Sequence, residues 1–183
     1  MMRRWIALLA LAGTLQGCAQ VGRLDTSAVH ERRSPAAVQD DRNIEHTAAQ
    51  RIAEKYRQNV QVSVTSFNRF ALLTGQVPDE SSKIAIERIV AGIDRVKGIA
   101  NELHLARGNQ SGTGYSDSGI SGDVRVRLLA NKARELDHIK VYTEKGTVYL
   151  LGIVSRAEAD AASEIASVTA GVRKVVRVFE YTN

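Results

Sequence analysis

One cysteine, two prolines and one tryptophan in 183 residues narrow the field of functions at once. A lone thiol can close no intramolecular disulfide and can supply no cysteine cluster for zinc. His30, His46, His104 and His138 are scattered, without the His-Glu-x-x-His or paired-cysteine spacing that a metal site uses, so no metal and no cofactor is expected. No convergent set of acid, base and nucleophile is visible, which points away from catalysis and toward a non-enzymatic protein. Aromatic residues make up only 5% of the chain and are not interleaved with a concentrated basic surface, so a nucleic-acid role is disfavoured. The apolar run from Trp5 to Leu15 spans about eleven residues, well short of the roughly 20 that a permanent membrane helix needs.

That run follows Arg3 and Arg4 and ends at Leu15-Gln16-Gly17-Cys18, the order of a signal peptide over residues 1–17. The last four residues resemble the lipobox of bacterial lipoproteins, in which the cysteine is acylated and becomes the mature N-terminus. The resemblance implies lipid attachment at Cys18. Ala19, where inner-membrane lipoproteins often carry aspartate, implies the outer membrane as destination. Cleavage would remove Arg3 and Arg4 and lower the formal net charge from +5 to +3, mildly basic and compatible with an anionic lipid surface. Residues 18–40 are polar with little periodicity and are expected to be the lipidated N-terminus and its tether.

From Ile44 onward a helical period begins, with Ala49, Ile52, Ala53 and Tyr56 on one face. Val60, Val62 and Val64 alternate as in a half-buried strand, Asn68-Arg69 suggests a turn, and Phe70 to Gly75 reads as a second strand. Pro78-Asp79 opens a helix with the stripe Ile86, Ile89, Val90 and Ile93, and Gly98 leads into a strand near Ile99 to Leu105. Residues 107–119 are dense in glycine and serine and read as a linker. Gly112-Thr113-Gly114 within it lacks the strand and the Gly-Lys-Ser/Thr ending of a phosphate loop.

After the linker the pattern returns. Val126, Leu129, Ala130 and Ala133 suggest a core-facing stripe, Ile139 and Val141 a strand, Lys145-Gly146 a hairpin turn, and Val148 to Val154 its return. Ser155 and Glu158 form a capping box. Ala162, Ile165, Ala166 and Thr169 then supply a stripe, and Val175 to Tyr181 closes the unit. Gly75 and Gly152 lie 77 positions apart, as do Val62 and Ile139, and Ile52 and Leu129. The chain is thus expected to be an α+β protein of two tandem αββαβ repeats, over residues 41–106 and 120–183.

The second repeat shows Leu150-Leu151-Gly152-Ile153-Val154, then Ile165-Ala166, then Gly171-Val172 and Val175. This order resembles the BON family, named for bacterial osmotically inducible and nodulation proteins. The first repeat departs from it with Val90 for alanine and Arg95 for glycine. Lipobox, tether and two such repeats together resemble the dual-BON outer-membrane lipoproteins associated with division and outer-membrane stress. The resemblance implies phospholipid binding and maintenance of the outer membrane.

Comparison of the repeats singles out one candidate surface. Opposite the expected core stripe of repeat two's first helix lie Val124 and Leu128, with Arg127 and Lys132 at the margins and Ile120 at the entry. Repeat one has Thr47 and Arg51 in place of Val124 and Leu128. Apolar residues ringed by cations suit a lipid headgroup layer, so Ile120, Val124, Arg127, Leu128 and Lys132 are expected to contact an anionic phospholipid membrane. The alternative is an adaptor for an envelope protein, such as outer-membrane assembly machinery or a peptidoglycan enzyme, met through strand edges or the apolar helix face.

Overall fold

The computed structural model describes residues 30–57, 59–106 and 115–182. The expected signal peptide, Cys18 and Gly112-Thr113-Gly114 lie outside these residues. Each repeat folds as expected, helix, hairpin, helix and strand, but its first helix starts earlier than the period of apolar residues suggests. In repeat one, α1 spans Pro35–Tyr56. Ser34 caps it by accepting a hydrogen bond from the Ala37 N–H, and Pro35 sits in the first turn, where its missing N–H costs nothing. Residues 35–40, read as tether, are therefore helical, and the buried stripe is Ala37, Ile44, Ala48 and Ile52, with Ala49 and Ala53 exposed.

Strands β1 (Gln61–Phe67) and β2 (Phe70–Val77) form an antiparallel hairpin. Its turn residues Asn68 and Arg69 have φ of 50° and 70°, the two left-handed positions that a tight hairpin with right-handed twist requires. Helix α2 (Glu80–Ala91), capped by Asp79, carries the chain across to β3 (Gly98–Leu105), which pairs parallel with β2. Repeat two follows the same course: α3 (Asp117–Leu129), β4 (Lys140–Glu144), β5 (Thr147–Val154), α4 (Arg156–Ser167) and β6 (Lys174–Tyr181). The sheet orders are β1-β2-β3 and β4-β5-β6. The expected capping box of Ser155 and Glu158 is formed at the start of α4.

Each sheet buries one face under its own two helices. Ile44, Ala48, Ile86 and Val90 pack on Ala71, Leu73 and Leu103 in repeat one, and Ile120, Val124, Leu128 and Ala162 pack on Val141, Val148 and Leu150 in repeat two. The opposite faces meet each other. Phe67 and Leu72 are buried against Tyr149 and Leu151, with Ala100, Tyr142, Val176 and Val178 around them. The result is four layers, helices, sheet, sheet, helices. Polar contacts lock the two units at the margin of the apolar contact: Lys140 Nζ donates to Glu45 at 2.9 Å and to the Ser66 carbonyl at 3.1 Å, and Asn68 donates to Glu180 at 2.6 Å.

Candidate membrane-contact surface

Helix α3 is the element on which the candidate surface depends, and its orientation follows from its first turn. Ser116 caps it, and the Asp117 carboxylate accepts the backbone N–H groups of Lys145 at 2.7 Å and Gly146 at 2.9 Å, which fixes the helix start against the β4–β5 turn. Repeat one uses the same device. Asp41, buried in α1, accepts the N–H groups of Asn68 at 2.8 Å and Arg69 at 2.7 Å, the Ser66 hydroxyl at 2.7 Å and Arg33 at 2.9 Å. Asp117 fell within the stretch read as linker, so the sequence analysis missed this pair. An acid in the first helix of each repeat, 27 or 28 positions before its two-residue turn, is the signal that could have found it.

This pairing corrects the expected surface. Asp41, Ile44, Ala48 and Ile52 stand 76 positions before Asp117, Ile120, Val124 and Leu128. The glycines are 77 apart, so one residue separates the helix alignment from the strand alignment. A one-residue slip turns a helix by about 100°, which exchanged the buried and exposed faces. Ile120, Val124 and Leu128 are at most 1% exposed and belong to the core of repeat two. Val126 and Leu129, taken as core, are 65% and 58% exposed. Ala130 and Ala133 are exposed as well, and α3 ends at Leu129, so Lys132 lies exposed in the turn after it.

The outward side of α3 still pairs apolar groups with cations. Val126 and Leu129 project into solvent, Arg125 and Arg127 flank them, and Lys132 follows. Arg125 donates to the Val141 carbonyl at 3.3 Å, which holds its stem along the helix. Tyr115, 55% exposed, stands just ahead of the helix, its ring lying over Gly171. Among the described residues no helix is long and apolar enough to cross a membrane, and no group of histidine, cysteine and acidic residues is placed to hold a metal.

A second feature lies where the chain enters α1. His30 and Arg32 precede repeat one in sequence, yet they are fastened to repeat two. Arg32 grips Glu158 with two hydrogen bonds of 2.6 and 3.0 Å and donates to the Ile153 carbonyl at 2.9 Å. The Glu158 carboxyl is held down to about 2, first by that guanidinium and then by the capping bonds of Ser155. His30 donates its backbone N–H to Asp137 and places its ring at 3.1 Å from the same carboxylate, which raises its pKa. Beside it His138 is buried, 3.8 Å from Asp137 and beyond hydrogen-bonding distance, and neither ring nitrogen has a hydrogen-bond partner among the described residues. Burial, and then the charge of Arg32, lower its pKa and keep it neutral.

The BON domain profile matches residues 40–107 and 116–183, one copy per repeat. The chain belongs to the BON family. Its two BON domains are related to the 21 kDa hemolysin of Actinobacillus pleuropneumoniae, 34% identical over 81% of this chain and 78% of that one. The outer membrane lipoprotein DolP of Haemophilus influenzae is 27% identical over 98% of this chain and 96% of its own length. The osmotically inducible protein Y of Escherichia coli is 27% identical over 83% of this chain and 70% of its own. The match to DolP spans both BON domains and the N-terminal region together, so the resemblance seen in the sequence extends along the whole chain.

Proposed function

We propose that this dual-BON protein is lipid-anchored at Cys18 on the periplasmic face of the outer membrane, where it binds anionic phospholipid and helps maintain outer-membrane integrity without catalysing a reaction. Support comes from the likeness to a DolP lipoprotein over nearly the full chain and from the lipobox at Cys18. The observation that carries the lipid-binding part is the outward side of α3, where Val126 and Leu129 stay more than half exposed between Arg125 and Arg127. An aliphatic pair can enter the headgroup layer while each arginine adds about 1 kcal/mol against an anionic surface. Salt would screen that contribution.

Co-sedimentation of the full chain with vesicles of anionic or neutral phospholipid tests this reading. Binding to the anionic vesicles should weaken as salt rises, and Val126→Ser with Leu129→Ser should lower it severalfold while leaving stability within about 0.5 kcal/mol, as expected for surface positions. Equal binding by the variant and the parent would remove α3 from the contact. Because a membrane-inserted anchor alone can retain the protein, a Cys18→Ser form is compared in parallel.

A further inference from the structure

Between the two sheets, on the side formed by β3 and β6, runs a groove of about 420 Å³. Phe67, Phe70, Ala100 and Glu102 line it from domain one, and Gly152 of β5 with residues 176–180 of β6 line it from domain two. Five consecutive residues of β6 border it although their side chains alternate between faces, so the groove reaches the backbone along that strand's edge. That edge is open: β6 pairs with β5 and with no other strand of the described residues. The Thr182 N–H donates to the Val154 carbonyl at 2.9 Å. The two-residue alternation of a strand turns the N–H groups of Glu180, Val178 and Val176 the same way and leaves those of Arg177 and Phe179 facing the groove.

Open edges usually carry a guard, such as a proline, a bulge or a free charge. Here β6 runs in unbroken register from Lys174 to Tyr181 and has no proline. Its mid-strand charges are engaged elsewhere, Arg177 with Asp160 at 2.8 Å and Glu180 with Asn68 at 2.6 Å. Across the groove the Glu102 carboxylate makes no ion pair among the described residues, and Glu180 is bonded to a neutral amide, so the groove presents apolar walls, an unpaired backbone and negative charge. We infer that it receives an extended peptide segment of a partner protein, which adds to β6 as a fourth strand of that sheet, packs an apolar side chain on Phe70 and Val178, and meets Glu102 with a lysine or arginine two residues along on the same face. Five residues of strand, about 16 Å, would be engaged. This surface is separate from α3, so a peptide and a membrane could be held at once.

Amide exchange followed by NMR on the full chain in detergent, with an eight-residue peptide repeating Val-Val-Lys-Lys, which places valine and lysine on both faces of a strand, tests the inference. In the free protein the amides of Arg177 and Phe179 should exchange fast and those of Val176 and Val178 slowly. The peptide should slow Arg177 and Phe179 at least tenfold and leave the others little changed. A valine–glutamate peptide should bind at least tenfold more weakly, and Glu102→Lys should reverse that preference, with slow exchange at Val176 and Val178 reporting that the variant is folded. The inference is overturned if the peptide leaves Arg177 and Phe179 unprotected, if Glu102→Lys does not change the preference, if micelles of a short-chain anionic phospholipid perturb the groove instead, or if the edge proves to be closed by a second copy of the chain.

Discussion

At single positions, the two repeats place the same residue type under different constraints. Gly75 has φ of +118°, and a Cβ there would lie 1.9 Å from the Gln61 carbonyl oxygen, whereas at Gly152 the nearest atom would be a Val154 methyl at 3.2 Å. Gly75→Ala should therefore cost about 4 kcal/mol or more and Gly152→Ala about 1, read from urea unfolding. Asp41 satisfies four donors in a buried place, so Asp41→Ala should cost about 3 to 5 kcal/mol by leaving amides and Arg33 without their acceptor. The two histidines near Asp137 titrate in opposite senses. His30, raised above 6.5 first by its hydrogen bond to Asp137, contributes stability that is complete below 6.5 and fades as pH rises through its folded value. His138, lowered first by burial, contributes stability that is complete above 6.5 and fades as pH falls toward its folded value. An NMR titration of the ring protons should place His30 above and His138 below 6.5. Two midpoints on the same side of that value would contradict the contacts drawn for this corner.

At the scale of elements, strands and turns were readable because their signals are short-range. Asn68-Arg69 and Lys145-Gly146 are both turns with positive φ, and of the alternating valines Val62 and Val64 lie in β1 while Val60 stands just before it. Helix α3 was not readable in the same way, because it holds two apolar series, Ile120-Val124-Leu128 and Val126-Leu129. Composition alone cannot rank them. The repeat alignment ranked them wrongly, because the stretch from the last buried residue of the first helix to the first strand is one residue longer in repeat two, Leu128 to Ile139 against Ile52 to Val62, and a helix turns about 100° per residue. Asp117 is the residue that would have settled the face, since its carboxylate must reach the β4–β5 turn. The start of α1 was obscured by Pro35, which reads as a breaker in an extended segment but as a helix opener after a serine cap. The two faces of α3 are separable by experiment. Val124→Ser or Leu128→Ser should cost about 2 to 4 kcal/mol by opening the core, whereas Val126→Ser and Leu129→Ser should leave stability nearly unchanged. Comparable losses for both pairs would mean that the outward side is covered in solution.

At the scale of the whole molecule, the question is how the anchor proposed at Cys18 can influence the pose of a domain that begins about a hundred residues later. The chain path answers it mechanically. His30 and Arg32 are bonded to domain two and Arg33 to domain one before α1 starts, so a pull on this segment is delivered to both BON domains at their junction. The last link before α1 is Arg33, whose guanidinium bonds Asp41 and lies 4.2 Å from the centre of the Phe67 ring. The principal link to domain two is Arg32 with Glu158, and nothing near residue 32 in the sequence announces it, because the partner lies 126 positions away. Glu158 has two tasks here, capping α4 and holding Arg32, and they can be separated. Glutamine also serves in a capping box, so Glu158→Gln keeps the cap and removes the charge that grips Arg32. Arg32 is 31% exposed and its partner 13%, so after solvent screening the coupling between them should be about 1 to 2 kcal/mol in a double-mutant cycle of Arg32→Ala and Glu158→Gln. Glu158→Ala should cost about 1 kcal/mol more than Glu158→Gln, the value of the cap. A cycle that closes with no coupling would mean that the Arg32–Glu158 pair does not hold the segment, leaving His30 with Asp137 to fasten it to domain two.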